Sequence, residues 1–131
     1  MNTLIATVTK IDTIDNLNIV KFDFSGQTLS MMSLDLSDDI KIGTNVKLIT
    51  KPTYIAIAKE FSGMLSYSNQ LKAKIKELEN GKLLSSVKLE IEEFVLESII
   101  TFESSKKMDL KVGDEVTAFI KASELSILKV L

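Results

Sequence analysis

The sequence contains no cysteine, no histidine, no tryptophan and no arginine. Without cysteine there is no disulfide framework and no thiolate metal site. Without histidine, zinc, copper and haem lose their usual nitrogen donors. Because arginine is absent, all 16 cationic side chains are lysines. An anion held by this chain is therefore met by ammonium groups, hydroxyls and backbone N–H, with no guanidinium fork. No apolar run approaches the roughly 20 residues that span a bilayer. The start, Met1-Asn2-Thr3-Leu4, lacks the basic segment and apolar stretch of a signal peptide, so a cytoplasmic location without membrane contact is expected. A formal net charge of -2 gives no overall attraction for nucleic acid, and 6% aromatics is thin for a stacking groove. There is no Gly-x-Ser-x-Gly elbow and no Gly-rich phosphate loop followed by lysine, so an enzyme is not expected.

What is present is ample apolar material, 45% of 131 residues, and 26% charged residues for a solvated face. That suits one ordinary domain or two very small ones. Self-comparison favours the second. Asn2-Thr3-Leu4-Ile5-Ala6-Thr7-Val8 aligns with Asn69-Gln70-Leu71-Lys72-Ala73-Lys74-Ile75, and Val20-Lys21-Phe22-Asp23-Phe24 with Val87-Lys88-Leu89-Glu90-Ile91. One extra residue in the second copy then brings Ser30-Met31-Met32-Ser33 onto Ser98-Ile99-Ile100-Thr101. After two more, Asp39-Ile40-Lys41-Ile42-Gly43 meets Asp109-Leu110-Lys111-Val112-Gly113. Lys51-Pro52-Thr53 falls on Lys121-Ala122-Ser123, and Ile55-Ala56-Ile57 on Leu125-Ser126-Ile127.

Within each copy apolar residues alternate with polar ones, the period-two signature of strands: Leu4, Ala6 and Val8, then Val20, Phe22 and Phe24. Ser25-Gly26-Gln27 and Glu92-Glu93 read as hairpin turns into a third strand. A short helical turn is expected around residues 36–40 and 104–108, ending at Gly43 or Gly113. A fourth strand, 46–50 or 116–120, runs into the Lys-x-Thr/Ser corner, and a fifth follows. Three strands, a short helix and two strands is the order of a small OB-like barrel. The fold expected is all-β: two tandem OB-like five-stranded β-barrels, with residues 1–60 and 68–131 as modules and 61–67 as linker.

The second copy carries a recognisable pattern in Ser68-Asn69-Gln70-Leu71-Lys72-Ala73-Lys74-Ile75, Glu97-Ser98-Ile99-Ile100-Thr101, Leu110-Lys111-Val112-Gly113-Asp114-Glu115-Val116 and Ile120-Lys121-Ala122-Ser123. It resembles the Mop/TOBE family of molybdenum-pterin-binding modules over nearly all of residues 66–131. Through the internal repeat the likeness extends more weakly to residues 2–59. The resemblance implies a cytoplasmic protein of the di-Mop type that binds molybdate or tungstate between modules for storage and homeostasis. It also implies assembly of the chain with itself, as a trimer, and no organic cofactor. An alternative reading is a molybdate-sensing module acting with a separate DNA-binding or transporter partner. Both copies depart from the family in lacking the arginine of its opening Ser-Ala-Arg-Asn; the second copy reads Ser66-Tyr67-Ser68-Asn69.

Molybdate and tungstate are tetrahedral dianions with four acceptor oxygens, so they need converging donors and neutralising charge. Lys51 and Lys121 supply charge at equivalent corners, with the hydroxyls of Thr53 and Ser123 two residues on. The N–H of Ala122 is available, whereas Pro52 has none, so the second corner carries the better donor set. Ser98 and Thr101, with Ser30 and Ser33, add hydroxyls on a neighbouring strand, and Ser66, Ser68 and Asn69 complete the candidate set. Read alone, a Lys-x-Thr/Ser at a strand end is an ordinary solvated turn; the repetition and the family pattern raise it above that. Asn2 and Asn69 equally suit turn-forming or edge-capping roles. The adjacent carboxylates Asp38-Asp39 and Glu92-Glu93 diverge and serve a solvated surface.

Overall fold

The computed structural model describes residues 1–131 and contains ten strands. They are β1 Asn2–Ile14, β2 Leu17–Phe24, β3 Gln27–Leu34, β4 Asn45–Thr50, β5 Ala56–Lys59, β6 Asn69–Asn80, β7 Leu84–Ile91, β8 Phe94–Thr101, β9 Glu115–Ile120 and β10 Ser126–Val130. One helix, α1 Phe102–Lys107, follows β8, and single 3₁₀ turns at Pro52–Tyr54 and Ala122–Glu124 precede β5 and β10. No helix is long and apolar enough to cross a membrane. The alternation read in the sequence is the alternation of burial: Leu4, Ala6 and Val8 point inward, as do Leu71, Ala73 and Ile75.

The strands form two five-stranded curled sheets, the two-module OB-like architecture expected, but the fifth strands are exchanged. One sheet has the order β10-β4-β1-β2-β3 and the other β5-β9-β6-β7-β8. The strand that ends each sequence copy is thus paired antiparallel into the other copy's sheet: Ala56 opposite Phe119, and Ser126 opposite Ile49. The segments Pro52–Tyr54 and Ala122–Glu124 carry the crossing, and they deliver the buried Ile55 and Leu125 into the same continuous apolar cluster of 24 residues. A single core therefore runs through both sheets.

Two details of the sequence alignment are corrected by the ladders. Lys21 faces Ser30 and Lys88 faces Glu97, so Ser30 corresponds to Glu97 and Met31 to Ser98 throughout β3 and β8. The inserted residues all fall later, between Thr101 and Leu110. The first copy has only five residues between Leu34 and Ile40, too few for a counterpart of the six-residue α1, and it turns there without a helix. Neither Gly43 nor Gly113 ends a helical turn as expected, since the first copy has no helix there and α1 stops at Lys107, but both take the positive φ that suits glycine. Gly43 and Gly113 adopt φ of 92° and 95°, and their N–H groups donate to Val8 and Ile75 C=O at 2.8 Å, where the long first strand of each copy bulges. A side chain there would be held in the left-handed region.

The sheets also differ at their open seams. Lys59 on β5 reaches Asp114 at 3.1 Å and the C=O of Asp109 at 2.8 Å, fastening that strand to its new sheet. A bulge at Leu128 puts Val130 in the place of Lys59, opposite Val46, and Thr44 stands where the second copy has Asp114. Neither half of the ion pair exists in the first sheet. A groove of about 380 Å³ remains between β3, the 35–40 turn and β10, floored by Met31, Ile40 and Leu125.

Candidate functional site

The two Lys-x-Thr/Ser corners are built alike. Lys51 and Lys121 leave their strands extended, with φ/ψ of -75°/145° and -65°/145°, and each C=O accepts from the N–H three residues on at 2.9 Å, closing a 3₁₀ turn. The exchange of fifth strands brings residues of the two corners together. Lys51 and Ser123, from opposite copies, line one cleft of about 240 Å³ together with Thr50, Tyr54, Glu124 and Ser126. Thr53 and Thr101 line a second cleft of about 430 Å³ with Ser104, Tyr54, Tyr67 and Glu124. Lysines 51 and 121 are exposed, and each ammonium lies over an aromatic face, Tyr54 at 5.5 Å and Tyr67 at 5.9 Å from the ring centre. Such a contact holds a cation in place without neutralising it.

Several candidates lie elsewhere or are committed. Ser98 is fully buried and its hydroxyl donates to Ile55 C=O at 2.6 Å. Asn69 is fully buried; its Oδ1 accepts from Ser30 N–H at 2.7 Å and its Nδ2 donates to Ser30 C=O at 2.9 Å. The amide of Asn69 and the main chain of Ser30 therefore satisfy each other. Thr101 caps α1, accepting from Ser104 N–H at 3.1 Å and donating to Ser104 Oγ at 2.9 Å. Ser66 and Ser68 are exposed and line neither cleft, and neither do Lys121 and Ala122. The linker packs by its aromatics, Phe61 and Tyr67 meeting Phe119 edge-on at 5.1 and 6.0 Å.

Sequence reasoning missed Tyr54 and Glu124, which occupy equivalent positions one residue after Thr53 and Ser123 and line both clefts. Their place directly after the corner motif in each copy was the available signal. It also missed Thr50, whose hydroxyl donates to Glu124 C=O at 2.9 Å and ties the second corner to β4. Glu124 brings a negative charge to clefts otherwise supplied with hydroxyls and lysine. The carboxyls with clear shifts line neither cleft. Glu97 is held below the usual carboxylate range by the Ser86 hydroxyl, with Lys88 beside it. Asp114 is held low by the Lys111 N–H and by Lys59. No cluster of carboxylates forms a metal site.

Residues 65–127 match the TOBE domain family. A probable molybdenum-pterin-binding protein of Haemophilus influenzae is 36% identical over 64 residues, which make up 93% of that protein and 48% of this chain. The chain belongs to the TOBE family of molybdenum-pterin-binding proteins. Among solved structures, a molybdate-binding protein from Sporomusa ovata is 34% identical, with a TM-score of 0.50, and matches 51% of this chain and 100% of its own. The cytoplasmic molybdate-binding protein ModG, solved with molybdate bound, superposes with a TM-score of 0.87 over 96% of this chain and 94% of its own. At 24% identity that likeness establishes the shared two-module TOBE fold. Family and fold together point to a binding protein.

Proposed function

We propose that this TOBE protein binds molybdate, and with it tungstate, reversibly in the cytoplasm, as a store that buffers the free oxyanion. The observation that carries the reading is the meeting of Lys51 and Ser123, from opposite sequence copies, in one cleft. Lysine charge and the Ser123 hydroxyl in that cleft, with Thr53 in the neighbouring cleft and the Ala122 N–H at the same corner as Ser123, are the groups proposed to replace the anion's hydration shell, because an oxyanion leaving water needs both neutralising charge and donors. The names of the relatives support the choice of anion. Ser66 and Ser68 are free to turn toward an anion seated near Lys121. Modules 1–60 and 68–131 supply one corner each, with 61–67 joining them. The open clefts and exposed lysines suit closure by another copy of the chain, and a trimer is the assembly proposed.

Isothermal titration with molybdate, tungstate and sulfate, each paired with native mass spectrometry, tests the reading. Heat is expected with the two metal oxyanions and little with sulfate. Lys51→Gln combined with Ser123→Ala is expected to remove most of it, whereas Glu124→Gln tightens binding by removing a like charge. Absence of heat with both metal oxyanions overturns the proposal.

A further inference from the structure

We propose that Asn2 and Asn69 are positioning residues that set the geometry of the two corners, each by clasping the opposite repeat. The inference rests on the oxyanion reading above, but the two clasps themselves are plain in the structure. Asn69 opens β6 opposite Ile120, the residue before Lys121, and its amide bonds both main-chain groups of Ser30 on β3. Asn2 opens β1 opposite Thr50, the residue before Lys51. Its Oδ1 accepts from Glu97 N–H at 2.8 Å, and its Nδ2 donates to Glu97 C=O at 2.7 Å, on β8. Ser30 and Glu97 are the equivalent residues of their strands. The same device is therefore built twice, across 39 and 95 residues of sequence.

Each asparagine side chain stands in for one peptide group of a neighbouring strand and plugs a free sheet edge at a single residue. Few side chains can do this. The amide offers one acceptor and a donor in the spacing of a main-chain unit, aspartate has no donor, and glutamine carries an extra methylene. Both asparagines are withdrawn from solvent, Asn2 7% and Asn69 0% exposed, so an unmade bond would be costly. A second tie from the opposite strand set then fixes each corner's far end: Ser98 Oγ to Ile55 C=O, and Thr50 Oγ1 to Glu124 C=O. The first corner is thus held between Asn2 and Ser98, the second between Asn69 and Thr50. Sulfate, molybdate and tungstate share charge and shape, so selection among them falls to cavity size. A cavity selects by size only when its walls are fixed to about half an ångström.

The test titrates Asn69→Ala, Asn69→Asp, Asn2→Ala and Asn2→Asp with molybdate and with sulfate. Phe61→Ala, which loosens the linker without touching a clasp, is the control. All measurements are made at a temperature where circular dichroism shows each protein folded. Loss of a supporting partner costs a site roughly 10- to 100-fold in affinity. The clasp variants are expected to weaken molybdate binding by about tenfold or more and to lower the molybdate-to-sulfate preference, while Phe61→Ala keeps the wild-type preference. Folded clasp variants with wild-type affinity and preference overturn the inference. So does failure of all four to fold, which makes the clasps purely structural. If the wild-type protein gives no heat with molybdate, the oxyanion reading itself fails and takes this one with it.

Discussion

Cutting the linker should leave the two halves bound to each other. The perturbation is a specific protease site inserted between Gly63 and Met64, in an exposed stretch that lies outside both sheets. What holds the halves can be worked from the exchange. The anchors Ile55 and Leu125 are 2% and 1% exposed, and each contributes about 1.5–3 kcal/mol of burial. Four clasp bonds and the Thr50 and Ser98 hydroxyl bonds add about 1 kcal/mol each. That comes to roughly 10 kcal/mol before the ladders of β5 and β10 are counted. Joining two free bodies costs at least about 4 kcal/mol, so these contacts alone give a dissociation constant of tens of micromolar at best, which the ladders then tighten. Size-exclusion chromatography and native mass spectrometry of the nicked protein at about 100 μM should find it coeluting with the intact 14.5 kDa chain or its assembly. Separation requires denaturant. Two free halves, each keeping its β-sheet signal in circular dichroism, would refute the exchanged topology.

Three further outcomes follow from single contacts. Ser98→Ala leaves the Ile55 carbonyl without its buried donor and is expected to cost about 1–3 kcal/mol in urea unfolding; an unchanged midpoint contradicts the bond. Gly113→Ala forces a side chain into the left-handed region at φ 95° and is expected to cost about 1–2 kcal/mol, read as a lower melting temperature. The carboxyls of Glu97 and Asp114 are held below their unfolded values, so the stability they contribute is complete above the ordinary carboxylate range. It is lost as pH falls through their folded values. Urea midpoints measured from pH 7 down to pH 3 should therefore decline, and Lys59→Met combined with Ser86→Ala should flatten part of that decline. An identical slope in the double variant counts against the assignment.

The strands, their order and the duplication were legible in the sequence because alternation and repetition are local signals. The partner of each fifth strand was not. Ile55 with Ile57, and Leu125 with Ile127, declare a face that wants burial but not which sheet will bury it. Ser98 was aligned with Ser30 by chemistry, whereas the ladder aligns it with Met31. A hydroxyl at a core position is intelligible only with its acceptor, the Ile55 carbonyl, 43 residues away. Asn69 shows the same limit: edge-capping was one of its readings, but the edge it caps lies 39 residues back. The corner residues Lys51 and Ser123 were found from their repetition. Tyr54 and Glu124 differ in type between the copies, so only their place directly after the repeated motif could have marked them.

The crossing of β5 and β10 has a consequence for how the molecule comes into being. One copy of this unit, made by itself, would have to borrow its last strand from a neighbour, and its maturation would slow with dilution. Tethering two copies makes the encounter unimolecular, with the complementary strand always at hand however scarce the protein is.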